Sequence, residues 1–180
     1  MLWIVGCGGG ASKPDTAAPS PTRTLPLADV YRLGESGPTP ADTVATLTAG
    51  IERHILLRTA PPDDATIADV YFGSQAFQAP AGTVAHVTLR PTPGTYGLVI
   101  ETDTPFQAGA ILTFKYALHF LAPPEATLKY PSHVLFERAL AIGRIGNAAD
   151  ITLLPSVRPA ADNLEAPAAT PGTYLVAAPK

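Results

Sequence analysis

The sequence describes an all-β chain, an antiparallel β-sandwich preceded by a disordered N-terminal tether, on three observations. Of 180 residues, 20 are proline and 15 are glycine. Interior proline removes a backbone donor and costs a helix about 3 kcal/mol, so this density excludes a helical bundle or coiled coil. Two segments alternate apolar and polar residues with period two: Val84-Ala85-His86-Val87-Thr88-Leu89 and Leu112-Thr113-Phe114-Lys115-Tyr116-Ala117-Leu118-His119-Phe120. Such alternation marks half-buried antiparallel strands. Turn chemistry at Pro61-Pro62-Asp63-Asp64, Pro91-Thr92-Pro93-Gly94, Pro123-Pro124 and Pro171-Gly172 punctuates the chain, and many short strands separated by such turns build sandwiches or barrels.

Three regions follow in order: residues 1–7, 8–42 and 43–180. The first reads MLWIVGC, with Gly8-Gly9-Gly10 after it. Its apolar run is too short for a secretory h-region of about 7–15 residues and far too short for a membrane span. Ile4-Val5-Gly6-Cys7 nevertheless resembles the lipobox of bacterial lipoproteins. That resemblance implies cleavage before Cys7, lipid on its sulfur and new amino group, and a missing upstream half of the signal that would lie before Met1. Residues 8–42, with Pro14, Pro19, Pro21, Pro26, Pro38 and Pro40, have too little apolar surface to offset their ordering entropy. As a coil such a stretch averages about 30–35 Å end to end, the reach of a tether. Within it the patch 25–33, Leu25-Pro26-Leu27-Ala28-Asp29-Val30-Tyr31-Arg32-Leu33, is apolar enough to dock on the domain as an edge segment or to remain a tail.

The third region supplies the sandwich. Strands are expected over residues 44–48, 51–58, 67–72, 84–90, 97–102, 110–120, 134–140, 150–154 and 173–177. The segment 132–142 also has a helical alternative, because Ala139-Leu140-Ala141 favours helix. Leu112, Phe114, Tyr116, Leu118 and Phe120 share one face of their strand and Thr113, Lys115 and His119 the other, the pattern of a core strand. Tyr174, two residues past Pro171-Gly172, is placed to bond back to the chain as a corner tyrosine.

Phe72-Gly73-Ser74-Gln75-Ala76-Phe77 is similar to the "P-x-G-A-F" turn of the ZU-five domain, and Pro105-Phe106-Gln107-Ala108-Gly109-Ala110-Ile111-Leu112-Thr113-Phe114-Lys115-Tyr116 to its "F-x-x-P-V-x-L-T-I-x-Y" segment. Gly109-Ala110 stands where that family has Pro-Val. The closing segments Leu154-Pro155-Ser156-Val157 and Pro171-Gly172-Thr173-Tyr174-Leu175-Val176-Ala177-Ala178 resemble those of bacterial members. The resemblance implies a ZU-five-like, immunoglobulin-like sandwich that works by protein–protein contact.

Catalytic and metal patterns are weak by comparison. A net charge of −3 and a pI near 5.7 argue against nucleic acid as a partner. One cysteine excludes an intramolecular disulfide and a cysteine-ligated zinc cluster. His54, His86, His119 and His133 have no zinc-motif spacing, and a site built from them would require the fold to converge them. His133 and Glu137 would align one helical turn apart. Asp63, Asp64 and Asp69 could offer oxygens to calcium, and Glu101 and Asp103 lie two apart at a strand end, where a glycosidase pair would need a cleft. No nucleophile elbow, P-loop, dinucleotide fingerprint or HExxH is present.

The expectation is therefore not an enzyme and calls for no metal or cofactor. It is a lipoprotein held at the bacterial envelope through Cys7, whose sandwich binds an envelope protein or polymer through a sheet edge or the loops 61–65, 91–95 and 123–131. The alternative is a small secreted hydrolase or a calcium-dependent glycan-binding domain, which would show convergent His, Asp or Glu in a deep pocket.

Overall fold

The computed structural model describes residues 21–180 except 108, 117–119 and 147–148; Cys7, its flanking segment and His119 lie outside the described residues. In chain order the strands are β1 (Arg23–Pro26), β2 (Val30–Arg32), β3 (Gly34–Glu35), β4 (Thr43–Thr48), β5 (Arg53–Arg58), β6 (Thr66–Phe72) and β7 (Val84–Pro91). They continue with β8 (Gly97–Thr102), β9 (Ala110–Lys115), β10 (Phe120–Leu121), β11 (Ala141–Ile145), β12 (Asp150–Leu153), β13 (Asn163–Ala168) and β14 (Gly172–Pro179). Among the described residues one α-helix, α1 (His133–Ala139), joins the end of β10 to β11.

The hairpins β5–β6, β7–β8 and β11–β12 are local, the other pairings join segments farther apart in sequence, and all are antiparallel. The larger sheet runs β1-β12-β11-β14-β8-β7-β4, with β2 also paired to β14; the smaller runs β13-β9-β6-β5, and β10 pairs with β3. Strands such as β7, β9 and β13 bury alternate residues, as period two requires, whereas β14, covered on both faces, buries Tyr174 to Ala178 in succession. From the smaller sheet, Ile55, Leu57, Val70, Phe72, Leu112, Phe114 and Leu164 face inward; from the larger, Leu47, Val87, Leu89, Leu98, Ile100 and Val176 meet them in one continuous core. The architecture is thus sandwich-like and mostly antiparallel β. Phe72 stacks on Phe77 at 5.3 Å and meets Phe106 edge-on at 5.4 Å, the offset and T-shaped geometries aromatic rings prefer.

Those rings bring the two quoted motif segments together. The Gly73 N–H donates to the Gly109 carbonyl at 3.0 Å, and the Gln107 N–H to that of Ala76 at 2.8 Å. Gly109 has φ of 137°, where an L side chain is strained, which explains a glycine at that crossing.

Three expectations are corrected. The tether expected to run to residue 42 gives way to sheet at Arg23: β1 pairs with β12, β2 with β14 and β3 with β10. Val30, Tyr31 and Leu33 are buried, and that apolar area outweighs the proline content around it. Pro26 ends β1 on the outermost strand of its sheet, where proline is tolerated. The strand expected at 134–140 is helix α1 instead, because the Ser132 hydroxyl accepts the Leu135 N–H at 3.3 Å and caps it. The long strand 110–120 ends at Lys115; the Tyr116 N–H turns to the Asp162 carbonyl, and β10 joins a separate two-stranded sheet.

A second, smaller core lies on the outer face of the larger sheet. Val30, Ala141, Ile151, Leu153, Leu175 and Ala177 pack there with Leu25, Leu27 and Ile145. Residues 23–32 start beside β12, cross through the 3-10 turn Leu27–Asp29 and end beside β14, so they strap this face. The Leu27 N–H donates to the Ala149 carbonyl, and the Lys180 N–H to that of Asp29.

Candidate functional site

The titratable residues singled out in the sequence form separate small contacts and, among the described residues, gather in no cluster of three or more. His54 lies on the outer face of the smaller sheet, where its Nδ1 meets Asp69 at 2.9 Å and its ring lies 4.8 Å from Tyr71. His86 lies on the outer face of the larger sheet, 3.3 Å from the Thr46 hydroxyl, so the two imidazoles occupy opposite sides of the sandwich. His133 starts α1, one turn before Glu137, and its ring packs edge-on to Phe120.

The acidic residues take separate partners. Asp63 accepts the Thr59 hydroxyl at 3.0 Å, Asp64 pairs with Arg58 at 3.2 Å and Asp69 is engaged by His54. Glu101 pairs with Arg90 at 2.9 Å, whereas Asp103 accepts the His86 N–H at 2.9 Å and the Thr104 hydroxyl at 3.1 Å. That bond from the His86 backbone holds the Asp103 carboxyl below its usual value, against a smaller opposing effect of desolvation. Among the described residues no three His, Cys, Asp or Glu side chains converge as a metal site.

The surface with the clearest chemistry is instead apolar. Of the seven large hydrophobic residues exposed among the described ones, Leu121, Leu128, Val134 and Leu135 all come from the excursion that leads from β10 into α1. Leu128 is 88% exposed, an extreme value for a leucine. The excursion is rigidly built. Pro123 and Pro124 open the 3-10 turn Pro124–Leu128, where proline's fixed φ suits a helical first turn. The Thr127 hydroxyl then donates to the Pro124 carbonyl at 2.7 Å. Arg158 donates from its guanidinium to the carbonyls of Glu137 and Leu140 and so closes the C-terminus of α1.

Its inner side is fastened to the sandwich by aromatics. Phe136 is buried, 5.6 Å from the Tyr130 ring and 6.2 Å from Phe120, and Tyr130 meets Tyr31 edge-on at 6.3 Å. The Tyr130 hydroxyl donates to the Pro179 carbonyl at 2.8 Å and the Tyr31 hydroxyl to that of Glu125 at 3.2 Å. Burial raises the Tyr130 pKa, and the nearby Tyr31 raises it further. Between the turn and α1 lies a shallow groove of about 90 Å³ lined by Ala122, Pro123, Ala126, Tyr130, His133 and Phe136 among others. Small-molecule sites occupy roughly 300–1,000 Å³, so this groove suits a single anchoring side chain.

The loop 123–131 expected from sequence as a recognition loop thus belongs to this surface, but the exposed leucines and Val134 were not singled out. A leucine between Thr127 and Lys129 in a proline-opened turn, far from any period-two pattern, was the available signal. Comparison with known proteins finds no matching family model, no matching curated protein and no matching solved structure.

Proposed function

We propose that this chain is a lipid-anchored component of the bacterial cell envelope, tethered through Cys7, whose ZU-five-like sandwich binds an envelope protein or polymer and performs no chemistry of its own. The observation that carries the binding role is the concentration of Leu121, Leu128, Val134 and Leu135 on one braced excursion. Isolated exposed apolar residues need no explanation, but four carried by one segment, residues 121–135, favour an interaction surface. Because its backbone is already fixed by Tyr31, Tyr130 and Arg158, docking costs little ordering entropy. The Ile4-Val5-Gly6-Cys7 pattern supports the anchor, and the described histidines and carboxylates, which meet only in separate surface contacts such as His54 with Asp69, support a role without catalysis.

The test is capture from envelope extract on the immobilised chain. One discrete partner should be retained with or without chelator, and Leu128→Asp or Val134→Asp should each weaken its retention about tenfold or more. Retention unaffected by both substitutions defeats the assignment of this surface. Retention abolished by chelator, or turnover of an ester, peptide or glycoside, defeats the binding role itself.

A further inference from the structure

The three remaining exposed large hydrophobics, Val44, Ile51 and Val84, gather at the opposite end of the larger sheet, on and beside its last strand, β4. The strands that end the two sheets differ sharply in how they are defended. β5 carries Arg53 and Arg58 and has a register shift between Leu57 and Arg58. β13 carries Glu165 and Pro167 and is partly covered by an isolated bridge from Val157. β1 carries Arg23 and Pro26. Charge, proline, bulges and cover are the devices by which proteins prevent edge-to-edge pairing. β4, Thr43-Val44-Ala45-Thr46-Leu47-Thr48, has none of them: it is uncharged, free of proline, in unbroken register with β7 and rich in β-branched residues. Among the described residues, no backbone bond reaches residues 43–47 from the side away from β7.

We infer that β4 is a self-association edge, pairing antiparallel with β4 of a second copy to make one continuous sheet across a two-fold axis. Such a pairing sets each residue near the axis close to its own copy, so any charge there would face a like charge. Like faces stay together only when partners differ by an even number of positions. The two registers of greatest overlap therefore place Ala45 or Thr46 opposite itself. In the first, Val44 faces Thr46 and Thr43 faces Leu47; in the second, Val44 faces Thr48 and Ala45 faces Leu47. Every pair is uncharged, and β-branched on β-branched or apolar on apolar contacts favour the pairing. Either register also shields Val44, which is 70% exposed in the single chain. β5 lacks this neutrality, since its corresponding registers would set Arg53 against Leu57 or Arg58 against His54.

The test is the mass of the full chain in solution under reducing conditions, which remove any dimer through Cys7. The wild type should be a concentration-dependent dimer. Thr46→Lys and Thr46→Glu, at an exposed outer-face position, should each weaken dimerisation about tenfold or more through like-charge repulsion, with β-type circular dichroism and melting unchanged. An equimolar mixture of the two variants should restore the dimer, an outcome that misfolding could not produce. Leu128→Asp should leave the dimer intact, which separates this edge from the excursion. A wild type that stays monomeric to about 1 mM overturns the inference. So does a dimer indifferent to both Thr46 substitutions, or a charge pair whose mixing restores nothing.

Discussion

At the residue scale, Tyr174 fixes the start of β14 through its hydroxyl, which donates to the Thr170 carbonyl at 2.5 Å, four residues upstream. The corner expected from Pro171-Gly172 therefore forms. Tyr174→Phe should lower unfolding stability by about 0.5–1.5 kcal/mol, the net worth of one hydrogen bond, with β-sheet content unchanged in circular dichroism. Gly143 answers to a different constraint. A Cβ at that position would lie 2.3 Å from Cδ1 and 2.6 Å from Cγ1 of Ile151, which is itself fully buried in the smaller core. Gly143→Ala should cost about 1–3 kcal/mol by overpacking, read from denaturant midpoints. Asp103 gives a dependence on pH. Its folded-state pKa is depressed below 3.8, chiefly by the His86 N–H, so its contribution is complete above the unfolded value and declines as pH falls through the folded one. Asp103→Asn should remove that small acid-side loss and leave the alkaline side unchanged, as urea titrations between about pH 2 and 7 would show.

At the element scale, the strap of residues 23–32 closes the smaller core, and neither its strands nor their partners were plain in the sequence. Burying a valine or leucine side chain contributes about 1.5–3 kcal/mol, so Val30 in the smaller core and Leu33, just past the strap in the main core, together are worth about 3–6 kcal/mol. That is a large share of the roughly 5–15 kcal/mol of a whole domain. Deleting residues 1–20 should leave the melting temperature unchanged, whereas deleting residues 1–33 should leave a chain that aggregates or melts far lower. Equal melting of the two truncations would show that the strap contributes nothing. The strands that were legible were β4, β5, β6, β7, β8, the first part of β9, β12 and β14; most alternate buried and exposed residues between clear turns, and β14 is an apolar run after Pro171-Gly172. β1 and β2 were obscured because a short strand amid prolines carries no periodic signal of its own and is defined by β12 and β14 across the fold. β11 contains Gly143, and β13 contains Pro167 on a sheet edge, both residues that argue against strand when only local propensity is weighed. α1 exists because of one capping serine and the arginine that closes its far end, and only the first is adjacent in sequence. The excursion was half legible: its prolines marked a recognition loop, but exposure of Leu128 is decided by packing that no local pattern records.

At the scale of the whole molecule, the proposal joins an anchor at one end of the chain to a binding surface on the sandwich. A single acyl chain holds a protein only marginally to a membrane, whereas the two chains of a diacylglyceryl cysteine suffice. Expressed behind a functional signal sequence, the chain should partition into the detergent phase, and Cys7→Ser should release it to the aqueous phase; equal partitioning of both would refute the anchor. The binding claim is tested most directly by site-specific photo-crosslinking in intact cells that produce the protein. A photoreactive residue in place of Leu128 should give one discrete protein adduct on illumination, while the same residue in place of Glu165, on the outer face of the smaller sheet, should give none. No adduct from position 128, or equal adducts from both positions, would contradict the account.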